Sequence, residues 1–233
     1  SADGDGPALG TSEPLLNTNG FTGKIPEAFS SLKELIILDM WGSKSGFDLV
    51  WIWQQQKLEI LYLYDNRLKG KLPCNITAVN LIKIALSANK LVGCIPEDFG
   101  TLKKLTIIIL YNNEFIGPVP RSIGLIPKLQ YIQLFNNMIS SEVPQQLGKH
   151  SSLRNFEDRN NFSSSLPEQV MRHEKLFNIV VSNNIFSSEL LKHWQLPIVD
   201  NIMLDNNDFS GKFLVNIWWL PLVHTLLISD KTS

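Results

Sequence analysis

The sequence predicts an α/β solenoid, in which each coil adds one short parallel strand to a concave face and one irregular or 3-10 helical segment to a convex face. Three observations predict this fold: a self-similarity at 23 or 24 residues, apolar residues that alternate before a recurring Asn, and a hydrophobic-Pro pair further along each copy. The stretch "LYNNEFIGPVP" begins at Leu110 and returns as "LFNNMISSEVP", which begins at Leu134. Self-similarity at such a period is typical of stacked repeats.

The recurring Asn sets the register of the repeat. Counted outward from Asn113 and Asn137, this slot falls on ten positions, of which eight hold Asn. The eight are Asn19, Asn66, Asn89, Asn113, Asn137, Asn161, Asn184 and Asn207, and the other two positions are Ser43 and Lys231. We therefore expect about nine to ten coils in one uncapped domain over residues 15–233, after a disordered or non-repeat segment over residues 1–14.

The residues before each Asn predict a strand with one buried side. Leu105, Ile108 and Leu110 precede Asn113, and the last two alternate with period two, which is the period of a strand. One such coil cannot bury its apolar side alone, whereas stacked coils share a continuous core. The Asn side chain carries both a donor and an acceptor, so we expect the eight asparagines to form a buried ladder that satisfies the backbone where each strand ends.

Gly and Pro mark the second part of each copy. The Gly slot is filled at Gly93 and Gly117, for example, and the hydrophobic-Pro pair appears as Ile95-Pro96 and Val119-Pro120. Because Pro fixes its own backbone angle and favours an extended predecessor, we expect a second extended segment in every coil.

These motifs resemble a known family. The frame "NxLxGxIPxxLGxLxxL" is similar to the plant-specific class of leucine-rich repeats over roughly residues 15 to 230. "GCIPEDFGTLKKL", "GPVPRSIGLIPKLQYIQLFNN" and "VPQQLGKHSSLRNFE" resemble the ectodomains of HAESA-like leucine-rich-repeat receptor kinases. The sequence carries neither the paired-cysteine caps nor the kinase signatures of that family, so the resemblance implies a fragment of a longer ectodomain or a truncated paralogue.

The resemblance implies an extracellular recognition module, at the plasma membrane or in the apoplast, although the chain shows no signal peptide. Its partners would be a secreted peptide or protein and a co-receptor kinase, bound on the concave face. Receptors of this group are understood to hold the peptide carboxylate with an Arg-x-Arg pair, but the candidate strand "NIMLDNN" offers Asn201 and Met203 instead.

Outward strand residues are the candidate ligand contacts. The set is rich in aromatic residues with polar groups, which favour peptide or protein recognition. Its members are Trp41, Tyr62, Tyr64, Tyr111, Tyr131, Gln133, Phe135 and Arg159. The alternative interpretation is that a Tyr before an Asn pair only shields the sheet, and the sequence favours neither.

Other functions find less support in the residues. Lys and Arg (21) nearly balance Asp and Glu (22), which argues against nucleic-acid binding. No catalytic, metal-ligating or cofactor-binding pattern is present, so we expect no enzyme, metal or cofactor. Cys74 and Cys94 are expected to be free, half-buried thiols. A polygalacturonase-inhibitor-like defence protein, a degenerate non-signalling paralogue and an ice-binding protein remain as alternatives.

Three further expectations concern single segments. The repeat "FEDRNNFSSSLP" has lost one residue, which places Asp158 or, in the shifted register, Glu157 in the core and predicts local distortion. Leu220, Val223, Leu226 and Ile228 fit the inward slots of a last coil, which argues against a membrane span there. Glycosylation sequons occur at Asn75 and, more weakly supported, at Asn161, because a place in the ladder would hide the latter.

Overall fold

The computed structural model describes residues 27–42, 50–187, 194–210 and 220–229. In these residues the chain winds as successive coils, each adding one strand to a nine-stranded parallel sheet. The strands, in spatial order, are β1 (Ile37–Asp39), β2 (Ile60–Tyr62), β4 (Lys83–Ala85), β6 (Ile107–Ile109), β8 (Tyr131–Gln133), β10 (Asn155–Glu157), β12 (Asn178–Val180), β14 (Asn201–Met203) and β15 (Thr225–Leu227). The predicted coil at Asn19 and the slots at Ser43 and Lys231 lie outside the described residues.

The second extended segment of each coil forms a parallel sheet of its own. Its strands are β3 (Lys69–Lys71), β5 (Lys90–Gly93), β7 (Glu114–Gly117), β9 (Met138–Ser141), β11 (Asn161–Ser164) and β13 (Ile185–Phe186). These strands end at or near the Gly slot, just before the hydrophobic-Pro pair that predicted them. The slot is left-handed in Gly93 and Gly117, with φ of 82° and 76°, and also in Ser141 and Ser164.

The convex face is built from short helical turns, as predicted. They are η1 (Glu27–Ser31), η2 (Ile52–Gln54), η3 (Glu97–Thr101) and η4 (Arg121–Leu125), which are 3-10 helices, and α1 (Glu168–Met171), a single α-helical turn. Pro96, Pro120 and Pro167 stand directly before η3, η4 and α1. Pro suits this place because the first helical N–H groups have no partner within the helix.

Successive helical turns approach one another closely at two glycines. A Cβ atom on Gly124 would lie 2.7 Å from the backbone N of Leu147 in the next coil, and one on Gly100 would lie 2.2 Å from Cβ of Ser122. Both distances are too short for real atoms, so the coils stack at this spacing only because these residues have no side chain.

The inward residues form one continuous core. Leu58, Leu61 and Leu63 are fully buried, and the equivalent residues of the following coils are buried with them. In the last coil Leu220, Val223, Leu226 and Ile228 pack against this core, and β15 pairs with β14. The coil interpretation of this apolar run is therefore confirmed for residues 220–229, while Trp218 and Trp219 lie outside the described residues. Within those residues no helix is long and apolar enough to cross a membrane.

The asparagine ladder joins each coil to the one before it. The Nδ2 of Asn113 donates to the carbonyl oxygens of Leu110 in its own coil (3.0 Å) and Leu86 in the preceding coil (3.0 Å). Its Oδ1 accepts from the N–H of Leu91 (3.1 Å). Asn66, Asn89, Asn137, Asn184 and Asn207 likewise donate to carbonyl groups of their own and the preceding coil.

Asn161 does not belong to the ladder, and the prediction that placed it there is wrong. Asn160 takes the slot: its Nδ2 donates to the carbonyl of Leu134 (2.8 Å), and its Oδ1 accepts from the N–H of Asn137 (3.0 Å). Asn161 is exposed and begins β11. The register therefore shortens by one residue between the strand and the ladder.

The lost residue is the left-handed one. In the regular coils a residue with positive φ stands directly before the ladder Asn, as Asn136 does before Asn137. Arg159 precedes Asn160 and is not among the residues with positive φ. The predicted distortion is confined to this turn, because β10 still pairs in register with β8 and β12.

Asp158 occupies the inward slot of the shortened coil and is fully buried. Asn160 donates its side-chain N–H to Oδ1, whereas Oδ2 has no partner. Burial raises the pKa of Asp158 well above its ordinary value, and the bond from Asn160 opposes this shift only in part. Burial of Asp158 in this coil therefore favours the neutral acid over the charged carboxylate.

Asp158 is expected to make the protein more stable in mild acid. The folded state keeps a proton that the unfolded chain releases near pH 4, so the free energy of unfolding falls as pH rises from about 4 to the raised folded pKa, with a slope of at most about 1.4 kcal/mol per pH unit. Urea unfolding at several pH values measures this pH dependence of the free energy of unfolding. Asp158→Asn should flatten this part of the profile, and an unchanged profile would contradict the assignment.

Gly124 tests the close approach of the coils. Gly124→Ala should lower the free energy of unfolding by about 1–3 kcal/mol, because the added methyl group must push backbone atoms of the next coil aside. Arg121→Ala, an exposed position in the same helix η4, should change it by less than about 0.5 kcal/mol. Equal effects of the two substitutions in chemical denaturation would argue against tight stacking at Gly124.

Candidate functional site: the concave aromatic surface

The outward face of the nine-stranded sheet, here called the concave face, presents three residues from each coil. They are the first and third residues of each strand and the residue two positions further along, as in Tyr131, Gln133 and Phe135. Alternation along the strand turns these side chains away from the core. All eight residues predicted as ligand contacts belong to this set.

The first half of the face is covered by aromatic side chains that pack in pairs. Trp41 and Tyr64 stack with ring centroids 5.4 Å apart, and Tyr111 and Phe135 stack at 4.3 Å. Tyr62 meets Tyr64 edge to face at 6.3 Å. Neighbouring strands lie about 4.8 Å apart, so rings at equivalent positions of adjacent coils are spaced for such contacts.

Small residues separate the two stacks. Ala85 and Ser87, on β4 and just after it, lie between the coils of Tyr64 and Tyr111, and both are buried. The rings on either side of these small residues are all half-buried. Packed rings of this kind offer a large contact area with little side-chain entropy left to lose on binding.

The hydroxyls of Tyr62 and Tyr64 stay protonated. Burial raises the pKa of Tyr64 to about 12, with a further contribution from the carboxylate of Asp39. Burial, and then Asp39, also raise the pKa of Tyr62. Both hydroxyls therefore remain hydrogen-bond donors at any physiological pH. Burial also raises the pKa of Asp39, against the opposing hydrogen bond from the N–H of Trp41.

The second half of the face is polar. Glu157 accepts hydrogen bonds from Nε2 of Gln133 (2.9 Å) and Nδ2 of Asn155 (3.2 Å). Burial raises the pKa of Glu157, while these two bonds and the charge of Arg159 lower it. Gln133 lies on the predicted face but is only 5% exposed, so its amide holds Glu157 and is not available to a ligand. Arg159 is exposed.

The strand that matches the expected carboxylate clasp carries a different network. Asn201 donates to Oδ1 of Asn178 (2.7 Å) and to Oδ2 of Asp200 (2.8 Å). Met203, between Asn201 and Asp205 on this face, carries no charge. Ser182 hydrogen-bonds Asp205 from the neighbouring coil. Among the outward residues of β10 to β15 in the described chain, Arg159 is the one arginine.

Part of the face is not among the predicted contacts. The predicted set holds two outward residues per coil and, apart from Tyr131, lacks the first residue of each strand, such as Ile60, Lys83 and Ile107. One further step of the same alternation would have found them. The cysteines also differ from expectation, because Cys74 and Cys94 are free but exposed. No group of three or more potential metal ligands was found in the described residues.

Comparison with known proteins identifies the repeat. A family model described as Leucine Rich Repeat matches residues 57–78. The solved structure of a TDR receptor superposes with a TM-score of 0.78 at 26% identity over 90% of this chain. The Arabidopsis receptor kinase HAESA, in complex with the peptide hormone IDA and the co-receptor SERK1, gives 0.77 at 28% identity over 90% of this chain.

The described residues have the fold of a leucine-rich-repeat solenoid. Its structure is similar to the ectodomains of plant leucine-rich-repeat receptor kinases, and this chain spans 42% and 40% of those two solved chains. A plant ice-binding protein shares the fold with a TM-score of 0.78 at 24% identity, covering 90% of this chain and 69% of its own. No curated protein sequence matches this chain. The HAESA-like assignment stays a prediction.

Ionisation of Tyr64 provides a test of the aromatic surface of the leucine-rich-repeat solenoid. In a titration followed by tyrosinate absorbance, the difference between wild type and Tyr64→Phe should report a group with a pKa of about 12. Asp39→Asn should move that transition to lower pH, because it removes a negative charge that opposes ionisation. An ordinary tyrosine pKa in the difference curve would contradict the packing described.

Proposed function

We propose that this solenoid is the extracellular ligand-recognition module of a plant receptor-like kinase or receptor-like protein. Its concave face binds a secreted peptide and, together with that peptide, a co-receptor. The observation that carries the proposal is the packed aromatic surface of Trp41, Tyr62, Tyr64, Tyr111 and Phe135. The family resemblance adds support, because HAESA was solved with a peptide hormone and a co-receptor.

The aromatic surface suits an extended peptide. Its two stacks span the strands from β1 to β8, so a peptide laid across the coils contacts several rings in turn. Aromatic side chains carry much of the free energy at protein interfaces, especially where they are held rigid before binding. The hydroxyls of Tyr62 and Tyr64 donate hydrogen bonds to carbonyl groups of the bound peptide.

The polar half of the concave face orients the bound peptide. Glu157 is held by two side-chain amides, and Asp205 is held by Ser182, so both carboxylates are preorganised before a ligand arrives. A single exposed guanidinium at Arg159 lacks the second arginine of a fork, and we propose that a terminal carboxylate is not the main determinant of recognition.

Loss of two rings should weaken peptide binding. Tyr64→Ala combined with Tyr111→Ala takes one ring from each stack, and we expect the Kd to rise at least about tenfold, which corresponds to about 1.4 kcal/mol. Isothermal titration of the purified chain with IDA, and then with other secreted plant peptides, measures it. Leu125→Ala removes an exposed apolar side chain from η4 on the convex side and serves as the control.

The control variant should bind like wild type. Equal affinity of wild type and the double variant for a peptide that does bind would exclude the aromatic surface as the binding site. Failure of every secreted peptide to bind would argue against the proposed function itself.

A further inference from the structure

The shortened coil leaves a glycosylation sequon free on the second sheet. Asn161, Phe162 and Ser163 form the pattern Asn-X-Ser at the start of β11. Phe162 is fully buried, so Asn161 points away from the core, and its side chain is exposed. Asn160 fills the ladder in its place, and the side chain of Asn161 makes no hydrogen bond among the described residues.

Asn161 lies beside exposed apolar side chains. In β9 its Cα partner is Ser140, and Met138 stands on the same outer face two residues earlier. Met138 is 57% exposed, and Ile116, paired with it from β7, is 46% exposed. We call Ile116 and Met138 the lateral strip. These two large apolar side chains lie next to each other on the open outer face of the second sheet.

A sugar attached at Asn161 has room to cover the lateral strip. Ser140 is small and only partly exposed, so it leaves space between Asn161 and Met138. Pyranose rings carry C–H groups on one face, and that face packs against apolar side chains while the hydroxyl groups stay in water. The strip thus supplies a reason for a modification at Asn161 beyond the sequence pattern.

We propose that Asn161 carries an N-linked glycan whose first sugars lie over Ile116 and Met138. Nδ2 of Asn161 bonds to C1 of N-acetylglucosamine from a lipid-linked oligosaccharide diphosphate, the bond from C1 to the phosphate oxygen breaks, and the lipid diphosphate and one proton leave. This inference rests on the extracellular location in the proposed function, because the donor is met in the secretory pathway.

The second sequon provides a matched comparison. Asn75 is also exposed, as the sequence predicts, and it follows Pro73 in the loop after β3. It lies two coils before Ile116 along the array, so a glycan there does not replace one at Asn161. Thr77→Ala removes this sequon and keeps Asn75 itself.

The test is production of the full chain behind a secretion leader in plant or insect cells. Peptide mapping after enzymatic deglycosylation, which converts a modified Asn to Asp, measures occupancy at Asn161. We expect a modified Asn161 in wild type and loss of that signal in both Asn161→Gln and Ser163→Ala. An unmodified Asn161 in the secreted wild type would overturn the inference.

A separate measurement tests whether the glycan covers the lateral strip. Ser163→Ala should bind more of a fluorescent apolar-surface dye than wild type, and Thr77→Ala should not. Adding Met138→Thr and Ile116→Thr to Ser163→Ala should return dye binding to the wild-type level. Equal dye binding of Ser163→Ala and wild type would overturn cover of the strip even if Asn161 is modified.

The glycosylation results can be distinguished from a test of the proposed function. Peptide binding to the concave face should be the same in Ser163→Ala and wild type, because Ser163 lies on the second sheet. A modified Asn161 in a chain that binds no peptide would leave this inference standing and count against the proposed function. An unmodified Asn161 in a chain that binds peptide would overturn this inference and support the proposed function.

Discussion

The bond between each ladder asparagine and the preceding coil is the interaction on which the rest of the structure depends. At Asn113 one side chain satisfies carbonyl groups of two coils and an N–H of the preceding one. Each such bond contributes only about 1 kcal/mol net, but an unpaired backbone group buried at this turn would cost more. The ladder therefore sets the offset between coils, and both parallel sheets follow from it.

The shortened coil shows which requirement is stricter. When one residue is lost after β10, the slot is still filled by an asparagine, Asn160, and the left-handed residue is given up instead. In a regular coil the backbone N–H of the ladder Asn donates to a backbone carbonyl of the next coil, as Asn113 does to Asn136. The N–H of Asn137 donates instead to the side chain of Asn160. The core accommodates the buried carboxyl group of Asp158, so polar continuity along the ladder outweighs ideal apolar packing at this coil.

The regular coils could be read from the sequence because their periodicity is strong. The inward leucines, the second extended segment and the outward aromatic residues follow from alternation and from a fixed count to the next Asn. The same count fails at Asn160 and Asn161, two adjacent asparagines that satisfy the pattern about equally. Hydrogen-bond geometry with Leu134 distinguishes them, and a sequence pattern does not contain it.

The residues of the concave face could be predicted from the sequence, but the contacts among their side chains could not. Alternation placed Gln133 on the concave face, but its burial depends on the neighbouring Glu157, whose strand comes 24 residues later. The stacking of Tyr111 on Phe135 and the raised pKa of Tyr64 likewise depend on side-chain packing across coils. Such contacts are set by three-dimensional spacing, which local sequence rules do not specify.

The coil of Asp158 also bears on how the array comes apart. In a linear array each coil contacts only its neighbours, so the folding free energy of the array is a sum over coils and the junctions between them. Cooperative unfolding is therefore interrupted most easily at the least stable coil. This coil is the first of the polar half of the concave face and follows the last aromatic coil, that of Tyr131 and Phe135. Partial opening before this coil would leave two separately folded blocks, one with the aromatic half of the concave face and one with the polar half, and any molecule that contacts both halves would hold the junction closed.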